Sequence, residues 1–368
     1  ALIAAHNEEL VIEKSIASVT ALFSPSEVYL VSDGSSDSTA EKARAAGVNV
    51  LELHPNRGKG GALAAGVEHF ELCRRYQVVL LLDADTLLSP DYLDTGLPLF
   101  ADCEVVAVAG RPRSFWRPGQ MSHRAQFIAA YRAMVYLRAL EFTKYGQGWR
   151  HANAVVVVPG FASMYRTSAL AHIDINAPGL VVEDLNMTFD VHHKRLGRIA
   201  FHPAAAIGYT QDPATWGDYV RQVRRWSLVL WQTVRRHGFL HRGLFWAGLT
   251  LYMAEVITSS IVAILFPFGL ALEAAAGVLG HDLASTGGIL GGLFGVISIE
   301  NFLIAVVLPQ VLFTMLVSTL HRRPRYLLFA LGFPILWIID SFVHLYTIPR
   351  AWIDRSTGAW TSPVRQPL

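Results

Sequence analysis

Charge and cysteine are both scarce in this chain. Only 16% of its 368 residues are charged, against the usual quarter for soluble domains. The formal net charge is +2, too small to imply a nucleic-acid partner. Its two cysteines, Cys73 and Cys103, lack metal-type spacing and argue against a disulfide framework. They suit reduced thiols in the cytosol. Signal-peptide pattern, internal repeat and low-complexity linker are all absent. The opening ALIAAHNEE reads as a strand already running into its loop. A preceding segment is therefore expected upstream, with room for a membrane helix.

What the chain has in plenty is apolar surface, unevenly placed. Hydrophobic residues make up 52%, and mean hydropathy is +0.34. Residues 1–240 have the composition of an ordinary α/β domain, whereas 241–348 form a membrane region and 349–368 a tail. Three apolar tracts, 245–270, 287–320 and 326–348, each reach the roughly 20 residues that cross a bilayer. Three together speak against a buried soluble core. The HRRPR segment at 321–325 is expected to face the cytoplasm, and the loop 273–286, without Lys or Arg, to lie outside. That keeps the α/β domain cytosolic in a multi-pass cell-membrane protein. Three full crossings would carry the tail outside. One tract is therefore expected to be interfacial or re-entrant, either the glycine-rich start of the second or 326–348 with Pro334 and Asp340. Glu255, within an apolar tract, hints at a hydrophilic passage, while Glu300 suits an interface.

Strands and helices alternate through the first part. Strands are expected at 1–4, 27–31, 48–53, 78–82 and 105–110, with helices at 8–22, up to 46, from the NRGKGGAL stretch to 76, and near 120–144. VVVVPGFASMYR (155–166) reads as a strand and turn, 183–196 and 219–237 as helices, and 199–201 as a short strand. The βαβα order favours a doubly wound, mostly parallel sheet.

The strand ending VLLLDAD places Asp83 and Asp85 at a carboxyl edge, where ligands gather in such sheets. Two carboxylates that close repel unless a cation lies between them. Hard oxygen donors suit Mg²⁺ or Mn²⁺, which share such sites with substrate phosphates. A strand end followed by a turn reads the same way in isolation. Other loops converge on the same edge: His6-Asn7-Glu8-Glu9, Ser32-Asp33-Gly34-Ser35, and Asn56-Arg57-Gly58-Lys59-Gly60 before a helix N-terminus able to take anionic oxygens. The ordered set reads as a nucleotide-diphosphate site.

With AAHNEE, VSDGSSDST, NRGKGGAL, DAD, GFASMYR at 160–166, VED at 182–184 and QVRRW at 222–226, residues 1–237 resemble a family 2 glycosyltransferase. The fold implied is GT-A, the nucleotide-diphospho-sugar transferase fold. Q-x-x-R-W is similar to the mark of the processive membrane branch, which includes poly-N-acetylglucosamine, chitooligosaccharide, hyaluronan and cellulose synthases. The resemblance implies that Asn7, Glu8 and Asp33 contact uridine, Lys59 holds the nucleotide, and Asp83 lies near the ribose or diphosphate. It implies Asp85 as metal ligand for Mg²⁺ or Mn²⁺ and Asp184 as general base. Gln222 and Arg225 would meet the diphosphate, and Gly160 and Trp226 the acceptor. RSTGAWTSPVR at 355–365 resembles a gating segment, which makes Trp360, Thr361 and Arg365 gating candidates. The sequence departs from the family at His6, often a tyrosine, and at VED in place of TED. The function implied is inverting transfer from a UDP-sugar, UDP-N-acetylglucosamine first, to a growing β-linked polysaccharide that is passed across the membrane. The partners implied are the donor, the polysaccharide acceptor, membrane lipid and an accessory membrane subunit. Two rivals are addition of one sugar to a polyprenyl- or dolichyl-phosphate, and a non-catalytic scaffold. The intact acids at 83, 85 and 184 oppose the second.

Overall fold

A computed structural model describes residues 1–239, 241–279 and 297–354, with the single positions 288 and 292 between the last two. The proposed gating residues Trp360, Thr361 and Arg365 lie outside the described residues.

The first strand, β1 (Leu2–Ala5), is buried at every position and lies between β2 (Tyr29–Asp33) and β4 (Val78–Asp83), with β3 (Asn49–Leu53) beyond β2. All four run parallel. The apolar runs of β1, β2 and β4 follow from cover on both faces, while the outer β3, with Glu52 exposed, is only half-buried. On one face pack Leu2, Ala62, Leu63 and Val191, and on the other Ile3, Ile12, Ile16 and Leu30. Helix α1 (Ile12–Thr20) buries Ile12, Ser15, Ile16 and Val19, one stripe at helical spacing. It is shorter than the 8–22 expected, because residues 8–11 form a turn. Helix α2 (Thr39–Ala45) and α3 (Gly58–His69) complete the crossovers. The helix expected to reach 76 breaks at Glu71, which takes φ +52, a left-handed conformation that interrupts the helix.

The sheet continues as β4-β8-β6-β9, where β6 is Val105–Val108, β8 Ala162–Arg166 and β9 Arg198–Ala200. Strand β8 runs antiparallel to both neighbours. The valine run 155–158 is not a strand, contrary to the sequence expectation. Val155 and Val158 are fully buried, and the Val158 N–H donates to Thr188 Oγ1 at 2.8 Å instead of joining the ladder. A second sheet, of β5 (Leu87–Leu88), β7 (Arg111–Ser114) and β10 (Ile207–Thr210), was not foreseen.

Three further helices belong to this part. Helix α4 (His123–Tyr136) is capped by Ser122 Oγ, which accepts from Ala125 N at 3.2 Å. Helix α5 (Asp184–His193) starts on its own acid. Helix α6 (Trp216–His237) begins where Thr215 Oγ1 accepts from Asp218 N at 3.1 Å and stops at Gly238, φ +74.

Three units are long and apolar enough to cross a membrane: Leu244–Val278 (α7), Ile299–Leu320, and Pro324–Ile353. The second ends in α8 (Leu308–Leu320) and the third in α9 (Phe333–Ile353), after a 3₁₀ stretch at Pro324–Gly332. Helix α9 packs along α6 and α7. Its Asp340 is held by two tyrosines of the α/β part, Tyr131 Oη at 3.0 Å and Tyr219 Oη at 2.6 Å. Below it, Ser227 Oγ and Thr347 Oγ1 lie 2.6 Å apart.

Candidate active site

The antiparallel entry of β8 builds the site. Leu82 of β4 pairs with Ala162 of β8, and the Asp83 N–H donates to Phe161 O at 2.8 Å. The turn before β8 therefore sits against the carboxyl end of β4. Gly160 lies in that turn. Its N–H donates to Asp184 Oδ2 at 3.1 Å, and its carbonyl accepts from Lys59 Nζ at 3.1 Å. Any side chain there would collide, since a Cβ would stand 2.8 Å from Lys59 Nζ and 2.9 Å from Glu183 Oε1.

Lys59, in the first turn of α3, joins the acids of both motifs. Its Nζ lies 2.6 Å from Asp83 Oδ1 and 2.8 Å from Glu183 Oε1. Burial pulls its ammonium down, but Asp83 and Glu183 outweigh that and hold it above the ordinary lysine value. Lys59 thus acts as a clamp between strand end and acidic motif. Glu183, which the sequence singles out only as Asp184's neighbour, is the clamp's other jaw.

Asp184 opens α5. Its Oδ1 accepts from Leu185 N at 2.7 Å. Burial pushes its carboxyl up to about 6, Glu183 pushes the same way, and Lys59 with the two N–H groups resists. A carboxylate so poised is suited to accept a proton near neutral pH. Lys144, just beyond α4, is a buried neighbour that no motif marks. Burial lowers its ammonium to about 8, opposed by Asp184.

The loops at the other strand ends interlock. His6 Nδ1 lies 2.6 Å from Asp33 O, and Asn7 Oδ1 accepts from Ser36 N at 2.8 Å. Glu8 is fully buried at the start of the turn into α1. Asp33 is fully buried as well. One of its oxygens accepts from Arg57 N at 2.7 Å, and Oδ2 has no hydrogen bond among the described residues. Burial raises its carboxyl against the pull of the Arg57 and Gly58 N–H groups. A buried acceptor left open at a strand end is one a ligand N–H can satisfy.

Asp85 is 5% exposed beside the partly open Asp83. Among the described residues no group of three or more His, Cys, Asp or Glu is placed to hold a metal. The fit is nonetheless good for Mg²⁺ or Mn²⁺. These ions take about six oxygen ligands and usually accept only one or two carboxylates from protein, the rest coming from phosphates and water.

Helix α6 carries the last part. Gln222 Oε1 accepts from the guanidinium of Arg132, a residue on α4 that sequence reasoning missed because only tertiary packing brings it there. Arg224 reaches Asp354 at 3.4 Å, while Arg225 is half-buried with no ion pair among the described residues. Trp226 is 41% exposed.

Known proteins share parts of this sequence and this fold. The glycosyl transferase family 2 profile matches residues 1–173. A poly-beta-1,6-N-acetyl-D-glucosamine synthase of Staphylococcus aureus strain COL is 28% identical over 232 residues, covering 61% of this chain and 53% of the relative. The chain thus matches about half the length of that curated relative. A synthase of the same name from Staphylococcus epidermidis is 24% identical over 384 residues, covering 99% of this chain and 86% of the relative. Among solved structures, a mannosyltransferase from Pyrobaculum calidifontis in complex with GDP-Man and Mn²⁺ shares the fold, with TM-score 0.53, 15% identity, and cover of 94% of this chain and 86% of that one. The GT-A-like sheet and its acids agree with the family match, which places a family 2 glycosyl transferase domain in residues 1–173.

Proposed function

We propose that this enzyme transfers N-acetylglucosamine from its UDP donor to the end of a growing β-linked polysaccharide, with inversion, and passes the polymer across the membrane. The observation that carries the reading is the placing of Asp184. Its carboxylate is aimed by Gly160 N–H, raised to about 6, and set beside the Lys59–Asp83 clamp at the strand edge. The names of the staphylococcal relatives support the sugar and the polymer.

In this reading Asp33 Oδ2 accepts the uracil N–H, with Asn7 and Glu8 shaping that pocket. Asp85, with Asp83 beside it, would hold Mg²⁺ or Mn²⁺, which supplies positive charge for the departing diphosphate. Arg225 and Gln222 line the diphosphate rim, and a guanidinium binds phosphate oxygens in pairs. The acceptor's terminal ring rests on Trp226. Asp184 takes the proton of the attacking hydroxyl, which displaces UDP from the opposite face of the donor sugar. Helix α6 leads from this point toward α7 and α9, the route by which product would leave on the far side, with the catalytic part cytoplasmic.

Full-length protein in lipid vesicles, supplied with radiolabelled UDP-N-acetylglucosamine and Mn²⁺, tests this directly. Long polymer resistant to wash-out is expected. Label found only in a lipid-linked monosaccharide, or transfer only from another nucleotide sugar, would overturn it.

A further inference from the structure

Arg132 is 3% exposed, on α4, whose Tyr131 and Met134 share an apolar cluster with Tyr219 and Val223 of α6. A guanidinium costs much to bury without compensation, yet Arg132 forms no ion pair among the described residues. The carboxylates of Asp212 and Asp340 stabilise it from a distance, while its direct contacts are neutral and mostly borne by one helix. It donates to Gln222 Oε1 and, at 2.9 Å, to Tyr136 Oη. Its carbon centre lies 4.4 Å from the centre of the Trp226 ring and 5.6 Å from that of Tyr219. Tyr219, Gln222 and Trp226 are three and four residues apart, so they form one stripe of α6. The flat cation is laid along that stripe. Its Nε is buried with no hydrogen bond among the described residues.

We propose that Arg132 is a positioning residue for the acceptor end of the reaction, fixing the tilt of the Trp226 ring and the direction of the Gln222 amide. The assignment rests on Trp226 being the acceptor platform. Trp226 is held from one side by the cation and remains 41% exposed. The electrostatic attraction of a desolvated cation to an indole face is directional, so it sets the ring plane where simple packing would set only its depth. A sugar resting on the ring inherits that plane, and with it the approach of its hydroxyl to Asp184. Lysine retains the charge but lacks the planar fork that reaches ring, amide and phenol together.

The test uses full-length protein in nanodiscs, labelled with 5-fluorotryptophan, with the Trp226 line assigned through Trp226→Phe. Arg132→Met should shift and broaden that line. It should raise the acceptor KM about tenfold, the scale of one desolvated cation–ring contact, while donor KM and UDP affinity, which Arg132 reaches only through Gln222, change clearly less. Arg132→Lys should recover part of both effects. Arg132→Met and Trp226→Phe should be non-additive in acceptor KM, as expected for residues that act through one another. An unmoved fluorine line in Arg132→Met, or donor and acceptor constants that rise together, would overturn the assignment. If wild-type protein uses no saccharide acceptor, the proposed function fails, and the fluorine line still decides whether Arg132 sets the ring. Should Arg132→Met not fold, the same readings on Arg132→Lys decide, with UDP affinity as the check on folding.

Discussion

Replacing Gly160 by alanine puts a methyl group in place of a hydrogen at the point where both acidic motifs meet. The new methyl would stand 2.8 Å from Lys59 Nζ, 2.9 Å from Glu183 Oε1 and 3.3 Å from Asp184 Cβ. Carbon contacts become comfortable near ~3.5 Å, so the first two atoms must each retreat by roughly 0.6–0.7 Å. Lys59 cannot do so freely, being bound 2.6 Å from Asp83 and 2.8 Å from Glu183. The clamp opens, and the cation that now restrains the Asp184 carboxyl moves off. Two consequences follow for Gly160→Ala. The rate constant kcat should fall on the order of 10²-fold, the usual cost of about 1 Å of misplacement in an assembled site. The acidic limb of the pH–rate profile should move above the wild-type position near 6. Stability should fall by about 1–3 kcal/mol from overpacking, so UDP affinity is measured alongside to confirm the fold. The assay is UDP release by purified full-length protein across pH 5–9, a range of about four units around the expected limb. Wild-type kcat, or a limb displaced to lower pH, would refute the clamp.

Other expectations follow from the same contacts. Because the Asp184 carboxyl is raised to about 6 and must be ionised to accept a proton, the rate should rise about tenfold per pH unit below that value and level off above it. A flat profile from pH 5 upward would remove Asp184 from the base role. Asp184→Asn should bind UDP normally and lose about 10²–10⁴-fold in turnover, and a parallel loss of donor affinity would make it a binding residue instead. Glu183→Gln removes the like charge beside Asp184 and leaves Lys59 to it, so the acidic limb should shift to lower pH. A limb that stays put would show that Glu183 does not couple to the base. Asp85→Ala should abolish Mn²⁺-dependent UDP binding seen by calorimetry, and unaltered binding would move the metal elsewhere.

How much could be read beforehand differed by element. The runs in β1, β2 and β4 are legible because burial on both faces confines their polar residues to the carboxyl ends. The valines at 155–158 mislead for the same reason. They too are buried, but between two cores, with Val158 bonded to a threonine side chain, and composition cannot separate that from a ladder. The second sheet is hidden because β5 has two residues and β7 reads Arg-Pro-Arg-Ser. At the site, the acids announce themselves by type and by place at strand ends. Their partners do not. That Lys59 bridges Asp83 and Glu183 depends on β8 entering antiparallel, and Arg132 meets Gln222 only because α4 lies across α6. These are facts of tertiary packing, separated by about ninety or more positions of sequence.

The two tyrosines that hold Asp340 bear on where this chain can be divided. Composition changes near residue 240, and a soluble catalytic fragment ending there would keep Asp33, Asp83, Asp85 and Asp184. Yet Tyr131 and Tyr219 give their hydroxyls to a carboxylate 121 or more positions further on. Ser227 is tied to Thr347 in the same way. Cut at 240, α4 and α6 would expose the apolar wall that Phe333 and Leu336 now cover and leave two phenols without their acceptor. The rim that carries Gln222 and Trp226 would be the first part to lose its shape, so such a fragment should keep the proposed nucleotide pocket and forfeit the proposed acceptor side. The last of the three apolar helices is, in folding terms, a strut of the candidate site.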